Sequence, residues 1–267
     1  MSVLAVFAHP DDELFHGGAL LSGLARRGVR VTLACATKGE AGRPHASVGP
    51  VPDIGALRAE ELRAACAALG IGEPRFLGFR DSARKERFRH DDPRALANVD
   101  MLEVETAILR VIEDVEPQIL VTFDPHGGYY HPDHVAVHRA ATAAFFSSGK
   151  MGDRAPARLF YSTFSVETYR EHARRIQGSG ITDGLDPDVF AVRRETAALV
   201  FDARPHMDRK RAVFDAHRSA FGRDDKKFEG FRPILEEEVF TLGGARRAVP
   251  RWPLQDLFDG LEAALTG

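Results

Sequence analysis

Only two cysteines, Cys35 and Cys66, occur in 267 residues, too few for a disulfide framework or a four-cysteine zinc site. No run of about 18 apolar residues occurs, so we expect no transmembrane helix. The 36 lysines and arginines nearly balance 39 aspartates and glutamates, for a formal charge of -3. The basic excess typical of nucleic-acid and anionic-membrane binders is therefore missing. With no basic leader or cleavage site at its start, the sequence predicts a soluble, cytoplasmic protein that binds neither nucleic acid nor membrane.

Short apolar runs alternate with amphipathic stretches over the first two thirds of the chain. They predict strands at 3–8, 29–36, 75–79, 118–123, 159–164 and 196–201. Helices are predicted at 12–27, from an N-cap at Asp53 to Leu69, and at 101–115, 132–147 and 205–221. Such alternation implies right-handed crossovers, and so a Rossmann-like α/β fold with a mainly parallel sheet and helices on both faces. We expect residues 1–267 to form a single domain, with a glycine-rich mobile loop or insertion near 170–188.

The first predicted strand ends in the sequence AHPDDE at residues 8–13. This is not the glycine-rich turn of a dinucleotide site. Ligands of an open parallel sheet bind beyond the carboxyl ends of its strands, which is where this motif stands. One aspartate is enough to cap a helix, so three acids beside a histidine exceed that need.

A second cluster, YYHPDH at residues 129–134, follows the strand predicted at 118–123 and a glycine pair. Two strand ends of one sheet can meet in space. The side chains then brought together would be His9, His131, His134, Asp11, Asp12 and Asp133. Catalytic zinc takes imidazole nitrogens and carboxylate oxygens as three protein ligands and keeps a water molecule. The paired motifs therefore predict a metal hydrolase site, and the spacing alone leaves open which three residues bind the ion.

These two motifs resemble those of the PIG-L/LmbE-like family of zinc-dependent N-deacetylases. The family includes N-acetylglucosaminyl-phosphatidylinositol deacetylase and the sugar deacetylases of mycothiol and bacillithiol synthesis. The sequences TKGEAG at 37–42 and LGFRDS at 77–82, Arg58 with Glu61, and the segment 202–217 are also similar to the family. The resemblance thus covers about residues 1–220 and implies an LmbE-like fold.

The resemblance implies that His9, Asp12 and His134 bind zinc and that Asp11 is the general base. Adjacent carboxylates would then have different roles, each set by its surroundings. In one place the sequence departs from the family, which often ends a late helix with H-x-[ST]-Q. Here residues 217–220 read HRSA, so the resemblance does not extend to substrate recognition in that region.

Five further residues take their expected roles from the same resemblance. His131 corresponds to the histidine that assists the tetrahedral intermediate, and Asp133 is expected to orient it. Tyr129 corresponds to a tyrosine that helps polarise the acetyl carbonyl. Arg58 and Asp81 correspond to residues that bind the sugar.

The leading hypothesis is a hydrolase that removes the N-acetyl group from a small molecule containing N-acetylglucosamine, releasing acetate and a free amine. Zinc is the expected metal, and Fe2+ also suits nitrogen and oxygen ligands. Two alternatives stay open: an amidase for a larger amide such as a mycothiol S-conjugate, and a metal-bearing sugar-binding protein without turnover. Asp11 argues against the binding protein, because binding needs no base beside the metal. Since family members often assemble as trimers or hexamers, we expect a homo-oligomer.

Overall fold

A seven-stranded sheet lies at the centre of the part of the chain that the computed structural model describes, residues 1–176 and 186–261. The strands are β1 (Ser2–Phe7), β2 (Arg30–Cys35), β3 (Arg75–Phe76), β4 (Ile119–Phe123), β5 (Arg158–Thr163), β6 (Leu199–Asp202) and β7 (Glu237–Ala245). Their order is β3-β2-β1-β4-β5-β7-β6. The pairs from β3 to β5 are parallel, and β7 is antiparallel to both β5 and β6. The predicted mainly parallel α/β fold is confirmed.

The helices of the fold form layers against this sheet. They are α1 (Asp12–Phe15), α2 (Gly18–Arg26), α3 (Ile54–Leu69), α4 (Met101–Val115), α5 (Gly127–Tyr130), α6 (Pro132–Ser147), α7 (Val166–Arg175), α8 (Pro187–Phe190), α9 (Met207–Ala216), α10 (Arg218–Phe221) and α11 (Asp225–Leu235). Helices α4 and α6 pack together in one layer, and α2, α3 and α9 pack together in another. One apolar core surrounds the sheet, and a second, rich in phenylalanine, lies beneath α7, α9, α10 and α11.

Local sequence signals explain the elements that were predicted correctly. Asp53 caps α3 by accepting a hydrogen bond from the Ala56 N–H at 2.9 Å, and Gly70 ends the helix with a φ of 73°. The bounds of α4 agree with those predicted, 101–115. In both helices the capping residue and the spacing of apolar residues predict the same helix bounds, and the tertiary structure agrees with them.

The helix predicted at 12–27 is instead broken between α1 and α2. Gly17 has a φ of 105°, and a Cβ there would lie 3.1 Å from Cζ of Phe240. A Cβ on Gly18 would lie 2.4 Å from the carbonyl oxygen of Glu13. The two glycines therefore permit a turn that other residues would block. The helix predicted at 205–221 is likewise broken, at His217.

The loop predicted near 170–188 is wrong at its start, because α7 continues to Arg175. Ser165 caps α7, and Tyr169 and His172 on one of its faces are buried, which the high charge of the segment conceals. Residues 177–185, which include the glycines of that prediction, lie outside the described residues. Helix α11 and strand β7 were not predicted at all.

A buried ion pair joins the α1–α2 break to the C-terminal half of the chain. Lys210 Nζ lies 2.5 Å from Glu238 Oε1 and donates to the carbonyl oxygen of Leu14, the last-but-one residue of α1. Glu238 also accepts hydrogen bonds from the Ala19 and Leu20 N–H groups at the start of α2, each at 2.8 Å. No helix within residues 1–176 and 186–261 is long and apolar enough to cross a membrane.

We expect Lys210→Met to lower the free energy of unfolding by about 3–5 kcal/mol, because Glu238 would stay buried without its cation. Urea denaturation measures the change. Arg27→Met is the matched control, since it removes an exposed partner of Asp256 and is expected to cost about 1 kcal/mol or less. A loss in Lys210→Met as small as that of the control would contradict the role given to the buried pair.

Candidate functional site

The carboxyl ends of β1 and β4 lie side by side at the point where the strand order reverses. The chain leaves β1 towards β2 and leaves β4 towards β5, so the two connections diverge and leave a crevice. The AHPDDE motif begins directly after β1, and the YYHPDH motif runs from α5 into α6 after β4. Both motifs therefore meet in the crevice.

Three side chains predicted to bind metal converge there. Nδ1 of His9 lies 3.1 Å from Nε2 of His134. Oδ1 of Asp12 lies 3.2 Å from Nε2 of His134, and Oδ2 of Asp12 lies 3.6 Å from Nδ1 of His9. All three side chains are buried. Asp12 is fixed in addition by the backbone N–H of His9, which donates to Oδ2 at 2.7 Å.

Nδ1 of His9 and Nε2 of His134 are the inner nitrogens, which face each other and Asp12. The hydrogen bonds of the other, outer, nitrogens determine where each neutral ring carries its proton. Nε2 of His9 lies 3.0 Å from Oδ2 of Asp133, and Nδ1 of His134 lies 3.0 Å from the carbonyl oxygen of Gly127. Both partners accept, so each outer nitrogen is the donor. When the rings are neutral, the inner nitrogens hold lone pairs facing the Asp12 carboxylate. Such a donor set, with a partner behind each histidine, fits a metal cation.

The carboxylates around His9 favour a positive charge at this place. Burial alone would lower the pKa of His9, but the surrounding acids, Asp81 first, raise it well above its ordinary value. Burial would raise the pKa of Asp12, yet the contact with His134 holds it below its usual range. A metal ion would compete with the proton on His9, because a histidine ligand must be neutral.

Two overlapping groups also bring their ligand atoms within 4.8 Å of one another. They are His9, His131 and His134, and His9, Asp81, His131 and Asp133. Both groups include His131, which differs from His9 and His134 in its hydrogen bond. Its Nδ1 accepts the Asp133 N–H at 3.2 Å at the start of α6. The neutral ring therefore carries its proton on Nε2 and is a hydrogen-bond donor. Burial, with His9 and His134 nearby, lowers the pKa of His131 well below its ordinary value.

Asp133 contacts two histidine rings. Only its backbone N–H reaches His131, whereas its carboxylate contacts His9 and accepts the Ser82 N–H at 2.9 Å. Asp133 therefore contacts His131 through its backbone, while the turn at the start of α6 points its carboxylate towards β1. Its Oδ1 is buried without a hydrogen-bond partner in the described part of the chain, which fits a cation nearby.

Asp11 lies next to the three converging side chains, in a left-handed backbone conformation with a φ of 112°. Its backbone N–H donates to Oε2 of Glu13 at 3.1 Å, and its Oδ2 lies 3.6 Å from Nη2 of Arg58. Burial, with Asp12 adjacent, raises the pKa of Asp11 to about 6 although Arg58 opposes the shift. The two adjacent aspartates thus have pKa values moved in opposite directions.

Sequence reasoning missed the pair formed by Glu13 and His217. Oε1 of Glu13 lies 2.5 Å from Nε2 of His217, and both side chains are buried. Burial alone would lower the pKa of His217, but Glu13 outweighs it and the pKa is raised. Through Glu13 the pair fixes the backbone of Asp11. The sequence did hold one signal for this pair. The first motif has three acids, whereas one metal ligand and one general base account for only two of them.

The remaining predicted residues lie around the same crevice. The ring centroid of Tyr129 is 5.1 Å from that of His134, and burial raises the pKa of its hydroxyl. Arg58 donates to the carbonyl oxygen of Gly39 at 3.4 Å. Asp81 is buried, accepts backbone N–H groups of residues 41 and 83, and lies 3.6 Å from Nε2 of His9. The structure therefore places all the predicted residues at one site.

The fold and this site define an α/β protein with a buried histidine–aspartate group able to hold a metal ion. The sequence profile of the PIG-L family, described as GlcNAc-PI de-N-acetylase, matches residues 4–145. A 1D-myo-inositol 2-acetamido-2-deoxy-alpha-D-glucopyranoside deacetylase of Acidothermus cellulolyticus is 31% identical over 287 residues, covering 100% of this chain and 97% of its own length. The chain belongs to the PIG-L family, as the two motifs predicted.

Solved structures agree on the fold. The N,N'-diacetylchitobiose deacetylase from Pyrococcus horikoshii matches with a TM-score of 0.63 and 18% identity, covering 94% of this chain and 87% of that chain. GalB, the 4-carboxy-2-hydroxymuconate hydratase from Pseudomonas putida KT2440, matches with a TM-score of 0.62 and 17% identity, covering 94% and 99%. Because a hydratase shares the fold, the fold by itself does not decide the reaction.

We expect Glu13→Gln to lower the pKa of His217, because burial would remain while the nearest of the negative charges that raise it is lost. Titration of the histidine ring signals by NMR measures it, with His217→Gln identifying the signal. The control is Asp215→Asn, which removes an acid of α9 that is paired with Arg211. It should leave the pKa of His217 unchanged. An unchanged His217 titration in Glu13→Gln would contradict the pairing.

Proposed function

We propose that the chain is a zinc-dependent N-deacetylase that hydrolyses the N-acetyl group of a small N-acetylglucosamine conjugate, releasing acetate and a free amine. The observation that carries the proposal is the convergence of His9, Asp12 and His134 beside Asp11, whose pKa is raised to about 6. The full-length similarity to an enzyme named for deacetylating a 2-acetamido sugar supports the same substrate class.

In this proposal His9, Asp12 and His134 hold the metal through the inner nitrogens of the two histidines and the carboxylate of Asp12. Zinc bound there would supply a Lewis acid and lower the pKa of a water molecule to about 7. Fe2+ takes the same nitrogen and oxygen ligands. Asp133 and Gly127, behind the two histidines, select the tautomer in which the inner nitrogen of each neutral ring is free to bind the metal.

Asp11 is the proposed general base. A carboxylate with a pKa near 6 is ionised at neutral pH and is a better proton acceptor than an ordinary aspartate. Its hydrogen-bonded backbone holds the side chain beside Asp12. Having accepted a proton from water at its carboxylate, Asp11 can pass that proton to the leaving amine. The low pKa of His131 supports this assignment, because a neutral ring is a poor proton source for the amine.

Two donors are proposed to stabilise the negative charge that develops on the carbonyl oxygen. They are the Nε2–H of His131 and the hydroxyl of Tyr129, which stays protonated because burial raises its pKa. A single donor of this kind is worth roughly 3 kcal/mol of transition-state stabilisation. Arg58 and Asp81 are proposed to contact the sugar, Arg58 from its place beside Asp11.

We expect His134→Ala to lower the affinity for zinc by more than about 100-fold, because it removes one of the three converging donors. His131→Ala is the matched control, since it removes another buried histidine of the same motif and should leave zinc bound. Equilibrium dialysis with Zn2+ measures both. Equal losses in the two variants would instead place His131 among the ligands.

We expect Asp11→Asn to lower kcat by about 100-fold to 10,000-fold while its zinc content stays the same. Acetate release from N-acetylglucosaminides, with metal content measured beside it, is the test. Wild-type kcat/KM should fall as the pH drops through about 6 or lower, because the base must be ionised and a bound cation would lower its pKa further. A metal-replete Asp11→Asn protein with wild-type turnover would rule out the proposed base.

A further inference from the structure

Two features of the sequence have no role in the proposed reaction: Glu13, the third acid of the first motif, and the segment HRSA at 217–220. The structure brings them together, because Glu13 contacts His217 across 204 residues of chain. Each of the two side chains is only about 1% exposed. They lie behind Asp11, the proposed general base, so their contacts with its backbone are the guide to what they do.

Asp11 occupies the N-cap of α1, where an aspartate usually accepts a hydrogen bond from the helix with its own carboxylate. Within the described part of the chain the Asp11 carboxylate makes no such bond. Its φ of 112° and ψ of -17° are left-handed, whereas an N-cap residue is ordinarily extended. The carboxylate is thereby turned away from the helix and lies 3.6 Å from Nη2 of Arg58. A base needs this freedom, because a capping carboxylate has its lone pairs engaged by backbone N–H groups.

Glu13 holds this unusual conformation with both oxygens of its carboxylate. Oε2 accepts the backbone N–H of Asp11 at 3.1 Å, and Oε1 lies 2.5 Å from Nε2 of His217, which donates to it. An acid in the first turn of a helix that reaches back to the N-cap N–H supplies one half of a capping box. Asp11 does not supply the other half from its own side chain. Glu13 therefore satisfies the N-cap backbone while the Asp11 carboxylate stays free.

The segment 217–220 is itself anchored to α3, the helix that also reaches the Asp11 carboxylate. Glu61, buried on α3, accepts the backbone N–H of Ser219 at 2.9 Å and the hydroxyl of the same residue at 2.6 Å. Arg58 lies three residues earlier on that helix and approaches the carboxylate of Asp11. The contacts thus close a ring that holds Asp11 by its backbone on one side and by its carboxylate on the other.

We propose that Glu13, supported by His217, is a positioning residue that keeps the Asp11 carboxylate directed into the crevice and away from the end of α1. The inference rests on the proposed function, because it concerns the same general base. Without the Glu13 carboxylate the Asp11 N–H loses its partner, and Asp11 turns to the ordinary extended conformation and caps α1 with its side chain. A reacting group displaced by about 1 Å can lose roughly 100-fold in rate.

The test compares two substitutions that differ in one property. Glu13→Met keeps the length of the side chain but cannot accept the Asp11 N–H, whereas Glu13→Gln keeps an oxygen that can. We expect kcat for acetate release from an N-acetylglucosaminide to fall about 10- to 100-fold in Glu13→Met, with KM and zinc content unchanged. Glu13→Gln is expected to stay within about threefold of the wild-type kcat, because its hydrogen bond to Asp11 remains.

The same substitution in an Asp11→Asn protein separates positioning from general damage. If Glu13 acts only through the Asp11 carboxylate, Glu13→Met has nothing left to displace, and the double variant should have the kcat of Asp11→Asn. Damage to the fold or to the zinc site would instead lower kcat by the same factor in both backgrounds. If Glu13→Met does not fold, Glu13→Asp replaces it in both backgrounds. Its carboxylate keeps the charge but is one methylene too short to reach both partners.

The outcomes separate the inference from the proposed function. A loss of kcat that occurs only when Asp11 is present, and that Glu13→Gln largely avoids, supports it. An undiminished kcat in Glu13→Met, an equal loss in both backgrounds, or a Glu13→Gln protein as slow as Glu13→Met overturns it and leaves the deacetylase proposal intact. Wild-type turnover in the metal-replete Asp11→Asn protein, or no acetate release by the wild type, overturns both.

Discussion

Lone pairs facing one another in a buried place repel unless a positive charge lies among them. At the β1–β4 crevice, the outer nitrogens of His9 and His134 are engaged by groups that only accept hydrogen bonds. The inner nitrogens and the Asp12 carboxylate are thereby left to face each other at 3.1 to 3.6 Å. In a low-dielectric interior this arrangement is costly without a positive charge, which either a proton on His9 or a bound metal ion can supply. The proposed chemistry depends on a metal ion in that place, because Asp11 and His131 are proposed to act on a substrate held beside it.

The backbone at Asp11 is itself held in an unfavourable conformation. Asp11 and Gly17 both have left-handed φ values, and a non-glycine residue in such a region costs about 1–3 kcal/mol. Two buried contacts offset that strain: Glu13 with His217, and Lys210 with Glu238. The first joins the N-terminal motif to the residue that follows α9, and the second joins α9 and β7 to the break between α1 and α2. The irregular C-terminal third therefore fixes the geometry of a site whose recognisable residues all lie before residue 135.

The sequence was sufficient for elements whose local signals agree, such as α3, α4 and the first strands. It was also sufficient to predict that both motifs lie at one site, since parallel strands end at a common edge of the sheet. It was insufficient where long-range contacts decide. That Asp133 contacts His9 depends on how the turn before α6 aims a carboxylate across the crevice. Helix α11 has Phe228, Phe231 and Leu235 at helical spacing, but its charged residues conceal the pattern. The Lys210–Glu238 pair joins two elements that local patterns do not connect.

The most direct measurement is anomalous diffraction from zinc-soaked crystals, with data collected on both sides of the zinc absorption edge. We expect one strong anomalous peak, at a zinc ion bound by His9, Asp12 and His134, with His131 outside the coordination sphere and Asp11 beside it. A peak bonded to His131, or no peak at the β1–β4 crevice in a folded, zinc-saturated protein, would contradict it.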